Sequence, residues 1–81
     1  MDVDYEGELP PHRQIADWLL QRIEAGEWRP GQRIASEKDI CQEWGVARTT
    51  ARRAIAYLQK EGIIYTVPGR GSFISPQKGN R

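Results

Sequence analysis

Residues 36–60, which read SEKDICQEWGVARTTARRAIAYLQK, decide the fold of this chain. The Ser36 side chain can accept a hydrogen bond from a free backbone amide at the start of a helix. Asp39 lies three residues later, where its side chain can accept a hydrogen bond from the backbone amide of the capping residue. This first helix is short, because Gly45 is a residue type that ends helices. A second helix is predicted from about residue 48 to residue 60. Two helices joined by a tight turn that contains glycine are typical of a helix-turn-helix.

The two sides of the second helix have opposite chemistry. At about 100° per residue, one side collects an apolar stripe of Ala51, Ala54, Ile55 and Leu58. The other side collects Arg48, Thr49, Arg52 and Arg53, with no acid before Glu61. A helix that only faces solvent usually mixes acids with bases, because oppositely charged pairs four residues apart stabilise it. Arginine fits the O6 and N7 atoms of guanine, and threonine can contact a phosphate or a thymine methyl group. The second side therefore predicts DNA contact rather than a merely solvated face.

The flanking sequence completes the predicted fold. Before the helix pair, residues 12–25 carry one apolar stripe, made of Ile15, Trp18, Leu19 and Ile23. After it, β-branched and aromatic residues at 63–67 and 72–74 flank a turn, which predicts a hairpin with a Gly-Arg-Gly tip. Residues 33–35 are expected to form a very short strand. The predicted fold is mostly α with a small β-hairpin, a winged helix-turn-helix of three helices plus a two-stranded wing over residues 10–75.

The two ends of the chain are predicted to lie outside this domain. Residues 1–9 are acidic and show no periodicity, so we expect a flexible N-terminal segment. Residues 76–81 are polar and are expected to be a tail or the start of a linker.

Composition narrows the possible functions. With 81 residues the chain has room for one small domain, and a large catalytic pocket would take core that such a domain needs. One cysteine and one histidine exclude an internal disulfide and a structural zinc site, and we predict no catalytic residues, cofactor or metal. No apolar run approaches the roughly 18 residues that span a bilayer, so we expect a small soluble, intracellular binding module without membrane contact.

The charge is unevenly distributed along the chain. The formal net charge is +1, but residues 1–43 carry 5 basic and 10 acidic side chains, whereas residues 44–81 carry 7 basic side chains and one acid. A basic half with a single acid suits a polyanion, because Lys and Arg displace the counterions of phosphates. A solvated basic face without any partner would look the same, so charge alone does not decide between them.

Five segments together resemble the GntR family of bacterial transcription regulators. They read QIAD at 14–17, GEWRPG at 26–31, IASEKDI at 34–40, GVARTTARRA at 45–54 and GRGSFI at 69–74. The resemblance covers about residues 10–75. It implies a cytoplasmic, dimeric transcription factor, usually a repressor, on a palindromic operator in double-stranded DNA.

The resemblance also implies which residues contact DNA. In the predicted recognition helix they are Arg48, Thr49, Thr50 and Arg52, at the major groove and its flanking phosphates. Arg53, on the exposed side of the same helix, is predicted to contact the DNA backbone. Lys38 stands where the family usually has an arginine that contacts DNA, and Ser36 caps its helix and reaches a phosphate. The wing contributes Gly69, Arg70 and Gly71 at the minor groove or backbone.

The chain departs from the family pattern at three positions. Ala35 replaces the usual proline, Ala47 replaces the Ser or Thr that normally caps the recognition helix, and His12 stands where tyrosine is common. The family usually has a second domain that dimerises and binds a small-molecule effector. Nothing in this sequence corresponds to that domain, so we expect the chain alone to dimerise weakly or not at all.

Two other classes of function fit the sequence less well than DNA binding. A winged helix used as a protein-interaction platform would predict an exposed apolar patch, whereas the predicted helix exposes charge. An enzyme would need a catalytic constellation, and no set of residues in the sequence suggests one.

Overall fold

The computed structural model describes residues 2–76, which contain three helices and a two-stranded sheet. In chain order they are α1 (Pro11–Glu24), α2 (Glu37–Trp44), α3 (Arg48–Lys60), β1 (Ile64–Val67) and β2 (Gly71–Ile74). The strands pair antiparallel, with Ile64 opposite Ile74 and Val67 opposite Gly71. The predicted winged helix-turn-helix, with three helices and a wing, is confirmed.

Ser36 and Asp39 cap the start of α2, and Gly45 ends it, as the sequence predicted. Ser36 Oγ accepts a hydrogen bond from the Asp39 backbone N–H at 3.1 Å, and Ser36 N–H donates to Asp39 Oδ2 at 3.0 Å. Gly45 ends the helix in the left-handed region, with φ of 66°. Only glycine adopts this conformation without strain, so the turn into α3 depends on it.

We predict that acid weakens the cap of α2. The backbone N–H of Ser36 holds the pKa of Asp39 below its usual value. A carboxylate with a lowered pKa adds its full stabilisation above about pH 4 and loses it as the pH falls through the pKa of the folded state. Urea unfolding at pH 7, 5 and 3 should show wild type more stable than Asp39→Asn at pH 7 and 5, with a smaller difference at pH 3. A difference that grows toward pH 3 would contradict this role of the charge.

The core lies where α1 and α2 pack against α3 and α3 packs against β1 of the wing. Among residues 2–76, twelve apolar side chains are buried: Ile15, Ala16, Leu19, Ile34, Ile40, Trp44, Ala51, Ala54, Ile55, Leu58, Ile64 and Ile74. Trp18 is half-buried and meets Trp44 edge to face, with ring centroids 5.3 Å apart. The apolar stripe predicted for α3 is thus buried in full, which leaves the opposite side of α3 facing outward.

The wing is fastened to α3 through β1 and turns sharply at its tip. Thr66 Oγ1 donates to Gln59 Oε1 of α3 at 3.0 Å and lies 3.0 Å from the Ser72 hydroxyl. At the tip, Arg70 N–H donates to the Val67 carbonyl oxygen at 2.9 Å. Because Thr66, one residue before the end of β1, is tied to α3, the direction in which the tip points is set by the helix.

The predicted strand at residues 33–35 is reduced to one bridge. Arg33 pairs with Phe73 in an isolated antiparallel bridge, and Ile34 N–H donates to the Ser72 carbonyl oxygen at 2.9 Å. The segment then turns away, because Ser36 begins α2. This short contact still fixes the segment before α2 against the outer strand of the wing.

The N-terminal segment makes contacts that the sequence did not predict. Asp4 N–H donates to Gln14 Oε1 at 2.9 Å, while Gln14 Nε2 donates to the carbonyl oxygens of Asp4 and Leu9 at 2.7 and 2.8 Å. Val3 packs against the core. Asp4 and Leu9 of this segment are thus joined to α1 by hydrogen bonds to Gln14. Of the predicted tail, residues 77–81 lie outside the described residues.

Within residues 2–76, none of the helices has the length and apolar character that crossing a membrane requires.

Candidate nucleic-acid interface

The outward side of α3 carries the side chains that the sequence singled out. The side chains of Arg48 and Arg52 are 73% and 65% exposed. Thr49 and Arg53 are exposed as well, and Thr50 is half-buried. Long cationic side chains that stand in solvent can reach a partner without unfolding anything. This side of α3 is a surface of guanidinium and hydroxyl groups on a rigid helix.

An acid from α2 lies against this surface. Glu37 Oε2 is 3.6 Å from Arg52 Nε, and Glu37 Oε1 is 3.9 Å from Arg48 Nε. The sequence pattern of α3, in which no acid precedes Glu61, did not predict this contact, because Glu37 belongs to another helix. The glutamate immediately after the capping serine was the available signal. Its carboxylate supplies part of the counter-charge that α3 itself lacks.

We predict that Glu37→Gln strengthens binding to DNA of any sequence. The carboxylate repels phosphates and competes for the two arginines, so its removal should raise affinity for a random-sequence duplex about two- to fivefold at low salt. Fluorescence anisotropy on a labelled duplex would measure this. The free energy of unfolding should change by less than about 1 kcal/mol, because both ion pairs are long and their arginines are exposed.

Glu24→Gln is the matched control, since Glu24 is exposed at the end of α1 and its replacement removes the same charge. An equal gain in both variants would show that net charge, and not the place of Glu37, sets the affinity.

The first turn of α2 holds the next two predicted residues. Ser36 is exposed, and although its hydroxyl oxygen accepts the capping bond, the O–H group can still donate to a phosphate. Lys38 is exposed on the same turn. Through Glu37 this turn is joined to Arg48 and Arg52, so the structure brings the starts of α2 and α3 together.

The wing tip holds the last predicted residues. Gly69 and Gly71 have φ of 77° and 120°, and Arg70 between them is exposed. Arg33, which sequence reasoning did not select, donates from Nη1 to the Arg70 carbonyl oxygen at 3.3 Å. Backbone hydrogen bonds between residues 31–34 and β2 bring Arg33 to this place.

The start of α3 lacks a side-chain cap. Ala47 has the extended backbone of a capping residue, with φ of −70° and ψ of 158°, but its methyl group can accept no hydrogen bond. Thr50 N–H donates to the Ala47 carbonyl oxygen at 3.1 Å, and the amides of Arg48 and Thr49 before it are left to water, or to an anion such as a phosphate.

We predict that Ala47→Ser stabilises the domain by about 1 kcal/mol. The serine hydroxyl would accept a hydrogen bond from an amide in the first turn, without a change in the backbone. Thermal denaturation followed by circular dichroism should show a midpoint about 4–8 °C higher. Ala56→Ser, on the exposed middle of the same helix, should lower the midpoint slightly. A gain at both positions would contradict capping as the cause.

Comparison with known proteins decides the family. The profile of the family described as "Bacterial regulatory proteins, gntR family" matches residues 11–74, from the first residue of α1 to the last residue of β2. The chain belongs to the GntR family. The resemblance seen in the sequence is thereby confirmed.

Curated relatives of this GntR chain are transcription repressors. The HTH-type transcriptional repressor NagR of Bacillus subtilis is 33% identical over 78 residues, which are 96% of this chain and 32% of NagR. The mannosyl-D-glycerate transport/metabolism system repressor MngR of Escherichia coli is 34% identical over 74 residues, 91% of this chain and 31% of that protein. The GntR chain thus spans about a third of the length of these relatives.

Solved structures show the same fold. The DNA-binding domain of AraR in complex with operator ORR3 superposes with a TM-score of 0.81 at 34% identity, over 90% of this chain and 88% of that one. The chain therefore has the fold of a GntR DNA-binding domain. Its relatives are DNA-binding transcription regulators and not enzymes.

Proposed function

We propose that this chain reads a palindromic operator as part of a dimeric transcription repressor. Helix α3 would lie in the major groove, where Arg48 and Arg52 contact base edges. Thr49, Thr50, Ser36, Lys38 and Arg53 would contact the backbone, and Gly69, Arg70 and Gly71 the adjacent minor groove or its backbone. Bound over a promoter, the protein would block transcription.

The observation that carries the proposal is the exposed arginine side of α3. Its apolar side is buried in full, and the opposite side presents Arg48 and Arg52 with their side chains more than half exposed. A helix of this width fits the major groove, and arginine forks match guanine. The solved AraR domain, which has this fold, was crystallised on an operator.

Dimerisation and ligand control would require more than these residues. The curated relatives are about three times as long as this chain, and a small-molecule effector would act through such additional sequence. Two tethered domains gain affinity because the second half-site is bound at a high effective concentration. A single domain should therefore bind one half-site weakly. Because the target is chromosomal DNA, we place the protein in the cytoplasm.

Selection from a pool of random duplexes, followed by sequencing at two salt concentrations, tests the proposal. We expect a short motif or its palindrome to be enriched, and binding to weaken as salt rises. Salt-sensitive binding without enrichment would contradict base reading by this chain. No binding at low salt would contradict DNA binding itself and favour a platform for protein partners.

A further inference from the structure

Arg33 is built into the tip of the wing by three separate contacts. Its backbone bridges Phe73, and its guanidinium donates to the Arg70 carbonyl oxygen at 3.3 Å. Its aliphatic stem lies on Gly71, where a Cβ atom would stand 2.9 Å from Arg33 Cδ. Gly71 thus has two reasons to be glycine, its φ of 120° and the space that the Arg33 stem occupies. The wing is shaped around this side chain.

The Arg33 charge stays available beside Arg70. Arg33 is exposed, and the carbonyl oxygen that it contacts takes one of its five N–H donors. The neighbouring acid, Asp39, is engaged in capping α2 through Ser36. The Ser36 bonds, and not Arg33, are the main reason why the pKa of Asp39 is lowered. Asp39 therefore neutralises Arg33 only partly.

Arg33, Gly69, Arg70 and Phe73 line one open hollow of about 380 Å³ at the wing tip. We infer that Arg33 is a DNA-contacting residue that binds a backbone phosphate together with Arg70, so that the wing holds DNA with two guanidinium groups. This inference rests on the proposed function, because it requires that the wing lie against DNA. Because Arg33 Nη1 lies 3.3 Å from the Arg70 carbonyl oxygen, the Arg33 guanidinium is close to any phosphate that the wing tip contacts. Arginine is well suited to phosphate, because its donors form a planar fork.

The variant Arg33→Met tests the role of the guanidinium charge separately from the role of the aliphatic stem. Methionine keeps an unbranched apolar stem over Gly71 and removes the guanidinium, whereas Arg33→Ala removes both. Arg29→Met is the matched control, because Arg29 lies four residues earlier in the same connection and lines a different hollow, beside Pro76. Each variant of the 81-residue chain would be titrated against a duplex of about two helical turns that carries the selected motif, over a range of salt concentrations.

We expect Arg33→Met to weaken binding about five- to tenfold at low salt and to reduce the slope of log K against log salt by about 0.9, the value for one lost phosphate contact. Arg70→Met should do the same. Arg29→Met should leave the slope unchanged. The melting temperature of Arg33→Met should stay close to that of wild type.

Two results would overturn the inference while leaving the proposed function intact. In one, Arg33→Met binds like wild type although Arg48→Ala binds poorly. In the other, Arg33→Met keeps the wild-type salt slope and only Arg33→Ala loses affinity, which would make Arg33 a support for the wing. If wild type itself failed to bind DNA, both the inference and the proposed function would be wrong.

Discussion

Replacing Arg48 with alanine is expected to weaken binding to the selected operator by about 1–3 kcal/mol, or about 5- to 150-fold, and to relax the preference at one base pair. Arg48 is the first residue of α3, and its side chain is 73% exposed. In the proposed complex it makes the two hydrogen bonds to guanine that alanine cannot make. Binding to operator and to single-base variants of it would be measured by anisotropy.

Lys38→Ala provides the comparison for Arg48→Ala. Lys38 is exposed on α2 and is proposed to contact the backbone, so its loss should weaken all sequences about equally and reduce the salt slope by about one. If Arg48→Ala left the ranking of duplex sequences unchanged, the assignment of Arg48 to base reading would be wrong.

Leu58→Ala should be the most destabilising of the substitutions considered, with a loss of about 3 kcal/mol in the free energy of unfolding. Leu58 is fully buried on α3, so alanine leaves a cavity that the neighbouring helices fill only in part. A domain of this size has about 4–11 kcal/mol in total. The midpoint of thermal unfolding should fall by more than about 10 °C, and urea denaturation would give the free energy.

Leu9→Ala is the control for burial, because it removes the same atoms from a leucine that is 38% exposed. The Leu9 carbonyl oxygen, which accepts a hydrogen bond from Gln14, is kept in this variant. We expect a loss below about 1 kcal/mol. Similar losses at Leu9 and Leu58 would show that the core described above does not hold α3 in place.

Much of the fold follows from patterns within single segments. The Ser36–Asp39 spacing predicted the cap of α2, Gly45 predicted its end, and the stripe in residues 48–60 predicted which side of α3 is buried. These features depend on bonds and spacings within a few residues of one another, which is why they can be recognised in the sequence.

The contacts between segments were not predictable in the same way. Sequence analysis selected Arg48 and Arg52 but not Glu37, which approaches them from another helix. The composition of residues 1–9 predicted no partner for this segment, whereas Asp4 and Leu9 are hydrogen-bonded to Gln14. Each of these contacts depends on the angle at which a turn sends the chain, and residue types do not specify that angle.

The sequence by itself determined the order of the elements and the buried and exposed sides of α3, because periodicity, caps and turn residues act locally. It also indicated the family, through the five segments that resemble it. Only the tertiary structure placed Glu37 between two arginines and Arg33 beside Arg70. Arg33 and Arg70 are 37 positions apart in the chain, and they meet because Arg33 bridges Phe73 of the wing. The charge pattern of the surface is set by packing, because packing decides which distant side chains become neighbours.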